Sequence, residues 1–163
     1  MKVAICPGSF DPVTNGHLQI ISRAAAMFDR VIVVTMANHN KKPLFSAKER
    51  MELLRRATSY LPNVEVDAYD GLLAEYAREK KAIAIVKGLR AMSDFEYEFQ
   101  MALTNRKLNP AVETVFLTTS AEHMYLSSSL VKQVASLGGD IREFVPACIV
   151  KDILQKYGRN EEA

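Results

Sequence analysis

Apolar positions along the chain follow two alternating patterns. Unbroken short runs at Val3-Ala4-Ile5-Cys6, Arg30 to Met36 and Ala82 to Val86 predict strands covered on both faces. Asn63 to Ala68 and Thr114 to Thr119 predict a third and a fifth strand. Between these runs the apolar residues shift to helical spacing. Leu18, Ile21 and Ala25 follow His17, and Met51, Leu53, Leu54 and Ala57 follow the capping box Ser46-Ala47-Lys48-Glu49. Leu72, Leu73, Tyr76 and Ala77 form the expected buried stripe of a helix over 71–81. A second capping box, Ser93-Asp94-Phe95-Glu96, predicts a helix running to about Leu108 and stopped by Asn109-Pro110. Another helix is expected after Ser127-Ser128-Ser129, ending at Gly138-Gly139, and a last one after Pro146, before a polar tail over 158–163.

This alternation predicts an α/β fold: a doubly wound, parallel, five-stranded sheet in a single domain spanning 1–163. Such sheets take ligands beyond the carboxyl ends of their strands, where strand order reverses. Four stretches fall there: Ser9 to His17, Asn38 to Lys42, Lys87 to Arg90 and Ser120 to Ser129. Each carries groups that suit phosphate.

Composition narrows the picture by exclusion. A net charge of +2 implies no broad nucleic-acid surface, so an anion site has to come from a few placed cations. No apolar run approaches the roughly 20 residues that span a bilayer, and a signal peptide is not expected from Lys2 and the short run after it. The expected location is the cytoplasm, with Cys6 and Cys148 as two buried free thiols rather than a disulfide. Three dispersed histidines make no zinc pattern. There is neither a GxxxxGK[ST] loop nor a GxSxG elbow.

His17 stands between a strand and a helix start, behind Asn15-Gly16. The helix dipole favours its neutral form, which makes it a hydrogen-bond donor to charge building on a phosphorus centre. Ser9 follows Gly8, where a close approach to phosphate is open to both its hydroxyl and its backbone. Asp11-Pro12 reads as loop architecture. Lys41 and Lys42 precede Pro43 on the expected rim, and Lys87 and Arg90 flank Gly88 just past a buried strand. One serine of Ser127-Ser128-Ser129 suffices as a cap, which leaves hydroxyls for a second phosphate cradle.

Thr14-Asn15-Gly16-His17 resembles the [HT]xGH signature of the nucleotidyltransferase superfamily, and Ser127 to Lys132 resembles its second signature, of SSS-x-[VL]-[KR] type. The strings Pro7 to Pro12, Lys87 to Arg90 and Asp94 to Glu98 are similar to those of the bacterial phosphopantetheine adenylyltransferase family, a likeness that runs to about Tyr157. The resemblance implies a Rossmann-like nucleotidyltransferase fold and adenylyl transfer from ATP to 4′-phosphopantetheine, the penultimate step of coenzyme A synthesis. It also implies magnesium (Mg2+), a cytoplasmic homohexamer and coenzyme A as a feedback ligand. No residue is expected to ligate the metal.

By the same resemblance His17 stabilises the transition state, with Lys41 and Arg90 as further catalytic groups. Ser9, Phe10, His17, Gly88, Leu89, Arg90 and Glu98 contact ATP, as do His123, Met124, Tyr125, Leu126, Ser127, Ser128 and Ser129. Ser9, Lys41, Leu73 and Lys87 contact the acceptor. Ser9 and Lys87 replace the family's commoner threonine and arginine, and Ala121 to Met124 departs from its usual string. A sister nucleotidyltransferase with another acceptor, and a module that binds ATP without chemistry, remain the alternatives at this point.

Overall fold

The computed structural model describes residues 1–161, so the end of the polar tail, 162–163, lies outside the described residues. Five strands form one parallel sheet: β1 (Val3–Gly8), β2 (Arg30–Met36), β3 (Val64–Tyr69), β4 (Ala84–Leu89) and β5 (Glu113–Thr118). Six α-helices connect and flank them: α1 (Asn15–Met27), α2 (Ala47–Thr58), α3 (Leu73–Glu79), α4 (Met92–Leu108), α5 (Ser128–Ser136) and α6 (Val150–Lys156). The strand order is β3-β2-β1-β4-β5, so the winding reverses between β1 and β4.

The period of two along each strand sends side chains to two separate cores. Ala4, Cys6, Val31, Val33 and Val86 meet α1, α2, α5 and α6 on one face, through residues such as Ile21, Leu54, Val131 and Ile153. Val3, Ile5, Ile32, Val34 and Ile85 meet Tyr76, Ala77, Ala82 and Val112 on the other. The second face is thinner. Helix α4 contributes only Asn105 as a buried residue and leaves Met92, Tyr97, Phe99 and Leu103 exposed.

Two strands run further than their apolar runs. Pro7 and Gly8 continue β1, paired with Val34 and Thr35 of β2. Lys87, Gly88 and Leu89 continue β4, paired with Phe116, Leu117 and Thr118. Turn-type residues are held extended there because the neighbouring strand supplies the ladder.

The capping box expected at Ser93 does not form. Helix α4 starts two residues earlier, with Ala91 as N-cap and no side-chain cap bond, because Ala91 follows β4 closely and its carbonyl accepts from Asp94 and Phe95. The box at Ser46 forms as expected. Leu72 lies outside the buried stripe as the exposed N-cap of α3. Cys148 is free but exposed, since the 3-10 turn Ala147–Ile149 turns Ile149 inward instead. Cys6 is free and buried, as expected, and burial pushes its thiol up to about 12.

Candidate active site

A missing hydrogen opens the site. The Val3 carbonyl accepts from the Ile83 N–H and the Lys2 carbonyl from the Arg30 N–H. Odd-numbered residues of β1 therefore turn their polar groups toward β4, and even-numbered ones toward β2. Pro7 is the next odd residue after Ile5 and has no N–H to offer. Pairing of β1 with β4 stops at Ile5 and Ile85, whereas pairing with β2 runs on to Gly8. Beyond that point lies a cleft of about 760 Å³.

His17 sits on the cleft wall at the third position of α1. Thr14 is the N-cap, and its hydroxyl accepts from the His17 N–H at 3.3 Å. In return the Thr14 N–H donates to His17 Nδ1 at 3.0 Å. Histidine thus completes a capping box in the place usually held by Glu or Gln. A backbone N–H always donates, so Nδ1 is the acceptor and Nε2 carries the proton of the neutral ring. Burial pushes the His17 pKa down to about 4, and the charges of Lys87 and then Arg90 push the same way. The Phe10 ring stands edge-on to the imidazole, with centroids 5.0 Å apart. The site therefore holds a neutral imidazole of fixed tautomer that donates through Nε2.

Cations surround it. Lys87 pairs with Glu98 at 3.3 Å, and Arg90 with Asp94 at 3.3 Å. Both carboxylates lie one turn apart on α4, so one helix face neutralises both cations. Arg90 also donates to the Leu126 carbonyl at 2.8 Å, which ties the end of β4 to the segment before α5. Lys132 of α5 reaches Asp11 at 3.2 Å. Lys41 and Lys42 lie on the exposed loop after β2 and make no ion pair among the described residues.

The floor is held by close approaches and a buried carboxylate. A Cβ on Gly88 would meet Ile20 Cγ1 at 2.8 Å, so glycine lets β4 lie against α1. Asp11 is buried and accepts from the Leu44 and Phe45 N–H groups, both at 2.8 Å. It therefore fixes the loop after β1 to the segment leading into α2. The three serines divide their work. Ser127 caps α5 through the Leu130 N–H at 3.1 Å, Ser128 donates to the Pro12 carbonyl at 2.7 Å, and Ser129 is exposed at the cleft edge.

Comparison with known proteins places this geometry in a family. Residues 5–134 match the cytidylyltransferase-like family model. The phosphopantetheine adenylyltransferase of Caldanaerobacter subterraneus is 58% identical over 98% of this chain and 100% of its own length. That of Alkaliphilus metalliredigens is 58% identical over 96% of this chain and 99% of its own. The chain belongs to the phosphopantetheine adenylyltransferase family. Solved structures agree on the fold alone. A putative nicotinate-nucleotide adenylyltransferase of Vibrio parahaemolyticus superposes with a TM-score of 0.71 at 18% identity, covering 98% of both chains. Nicotinic acid mononucleotide adenylyltransferase of Plasmodium falciparum gives 0.69 at 13%, covering 96% of both.

Most of the expected site residues of this phosphopantetheine adenylyltransferase family member line the one cleft. Ser9, Phe10 and His17 come from the β1–α1 stretch, and Lys87, Gly88 and Arg90 from β4 and its end. Lys41, Glu98, His123, Leu126 and the three serines close the circuit. Four are placed elsewhere. Leu73 packs beside Met36 and Tyr69 against the second core, and Leu89 ends β4 off the cleft lining. Met124 and Tyr125 are exposed beyond the lining, and Tyr125 stands edge-on to Phe144 at 6.1 Å.

Sequence reasoning missed Arg50. It lines the cleft from α2, on the same buried face as Leu53, Leu54 and Ala57. A charge at an apolar-stripe position was the available signal. It also missed the Lys132–Asp11 pair, which joins positions 121 residues apart and leaves no local pattern.

Proposed function

We propose that this protein transfers the adenylyl group of ATP to 4′-phosphopantetheine, giving dephospho-coenzyme A and pyrophosphate. The observation that carries the reading is the cleft in which one neutral imidazole faces cations from three separate elements, in a chain 58% identical to a phosphopantetheine adenylyltransferase over nearly its whole length. An oxygen of the acceptor phosphate attacks the α-phosphorus in line. The bond from that phosphorus to the bridging oxygen of the β-phosphate breaks, and pyrophosphate leaves with the electron pair. No enzyme nucleophile is needed, and catalysis consists of positioning and charge stabilisation.

In this reading His17 donates from Nε2 to an α-phosphate oxygen as negative charge grows on it. A neutral donor keeps its proton throughout, so the step needs no proton return to the enzyme. Lys41 and Lys87 hold the acceptor phosphate, while Arg90, Ser128 and Ser129 hold the polyphosphate. Substrate oxygens then replace the carboxylates of Glu98 and Asp94 as partners of Lys87 and Arg90. The freed Glu98, an acceptor-only group, is left for a nucleotide hydroxyl or amino donor.

Magnesium belongs to the same proposal in a limited way. No group of three His, Cys, Asp or Glu gathers as a cation cage among the described residues, and Asp94 and Glu98 each face a cation. These residues do not fit a protein-held magnesium ion, which leaves substrate oxygens as its ligands. The homohexamer rests on the resemblance and on the apolar residues that α4 leaves exposed. Coenzyme A as a feedback ligand rests on its sharing the product's pantetheine and adenylate parts. A cytoplasmic location accords with the finding that no described helix is long and apolar enough to cross a membrane.

The test is pyrophosphate release with ATP and 4′-phosphopantetheine, run beside nicotinate mononucleotide. Turnover is expected with the first acceptor alone. Turnover only with the second, or ATP binding without pyrophosphate release, overturns the assignment.

A further inference from the structure

Arg50 is the one arginine in the core, only 7% exposed, and its position is electrostatically odd. Among the described residues its guanidinium makes no ion pair and a single hydrogen bond, from Nη1 to the Ser9 carbonyl at 2.8 Å. Its buried Nε has no partner. A buried cation without a counter-charge is costly, and replacing it by an apolar residue is commonly neutral or stabilising. The fold has no evident use for the charge itself.

The bond to Ser9 has a geometric consequence. The peptide between Ser9 and Phe10 is planar, so its carbonyl and its N–H point in opposite directions. When the carbonyl is turned to Arg50, the Phe10 N–H is turned away from it. That N–H has no protein acceptor among the described residues. Phe10 itself adopts φ 48°, a left-handed conformation that a bulky residue keeps only when its surroundings enforce it. The enforcing contacts are at hand. Arg50 grips one side of the turn, and the Phe10 ring lies so close to Gly8 that a Cβ there would meet it at 3.0 Å.

We propose that Arg50 is a positioning residue: by holding the Ser9 carbonyl it keeps the Phe10 N–H free as a donor to a substrate phosphate in the cleft. This rests on the functional reading above for the identity of the substrate, but not for the binding measurement that tests it. The free N–H works with the nearby cations as a fixed dipole, already oriented before the anion arrives.

The experiment compares the full-length protein with Arg50→Met and Arg50→Lys. Calorimetric titration reads the affinity for ATP and for adenosine, and thermal melting reads stability. Arg50→Met is expected to weaken ATP binding at least tenfold, to leave adenosine binding within about twofold and to melt at or above the parent temperature. Arg50→Lys, which keeps a donor to the Ser9 carbonyl, is expected to recover part of the ATP affinity. An equal loss for ATP and adenosine assigns Arg50 a purely structural role, and unchanged ATP binding in Arg50→Met removes it from phosphate recognition; either result overturns the proposal. If Arg50→Met does not fold, Arg50→Lys still reads the phosphate-specific loss, and equal affinities for that variant and its parent count against the idea. Absence of turnover in the parent would defeat the functional reading while leaving the ATP-versus-adenosine comparison intact.

Discussion

The tautomer and charge of His17 make a prediction that can be worked through in numbers. Its pKa is about 4 in the folded protein and about 6.5 in the unfolded chain, because burial and two cations oppose protonation. At pH 5 an unshifted histidine would be about 97% protonated, whereas one at 4 is about 9% protonated. The sign follows from which state binds the proton. Between pH 6.5 and 4 the unfolded chain takes it up and the folded chain does not, so stability is full above 6.5 and declines as pH falls toward 4. The whole window is worth on the order of 3 kcal/mol, and the step from pH 7 to pH 5 about 2 kcal/mol.

Other groups titrate over the same range, so the control matters. His17→Gln removes the titration while keeping a residue that completes a Thr-x-x-Gln capping box. Urea unfolding of both proteins at pH 7 and pH 5 isolates the histidine as the difference between the two pH dependences. The imidazole C–H resonance that disappears in the variant identifies His17 by NMR and gives its midpoint directly. A midpoint at 6 or above, or equal pH dependence in the two proteins, would refute a neutral His17 enforced by its surroundings.

Two further outcomes follow from the site. His17→Ala should lower kcat by roughly 10²–10³ with little change in ATP affinity, because the bond strengthens only as charge builds; steady-state kinetics with direct ATP titration would count against the role if both fell together. Asp11→Ala strips the acceptor from the Leu44 and Phe45 N–H groups and from Lys132, and should cost about 2–4 kcal/mol in urea unfolding; a loss under about 0.5 kcal/mol would mean that the loop has another anchor.

What could be read from the sequence was whatever physics repeats locally. The apolar runs at Val31 to Val34 and Ala84 to Val86 needed no partner information, since a strand buried on both faces has one composition everywhere. The same holds for Ser46 and Glu49, whose two bonds close within a turn. Ser93 and Glu96 carry the same pattern and fail, because the approach of the chain from β4 decides where α4 begins. The sequence marks His17 as a chemical group but hides its capping role, because histidine at the third helical position is outside the usual box. The ends of β1 and β4 were hidden as well. Pro7-Gly8 and Lys87-Gly88 look like turns until the neighbouring strand is in place. Tertiary pairs such as Arg50 with Ser9, 41 positions apart, have no local signature at all.

Pro7 has a consequence for energetics as well as for shape. Where the two central strands part, one ladder bond is lost to covalent structure, a nitrogen with no hydrogen. Neither ionic strength nor temperature can restore that bond. The gap therefore stands ready before any nucleotide approaches, and no part of the ligand's affinity is spent prying the sheet apart. What would have gone into deformation is available for the moment when the phosphorus is five-coordinate.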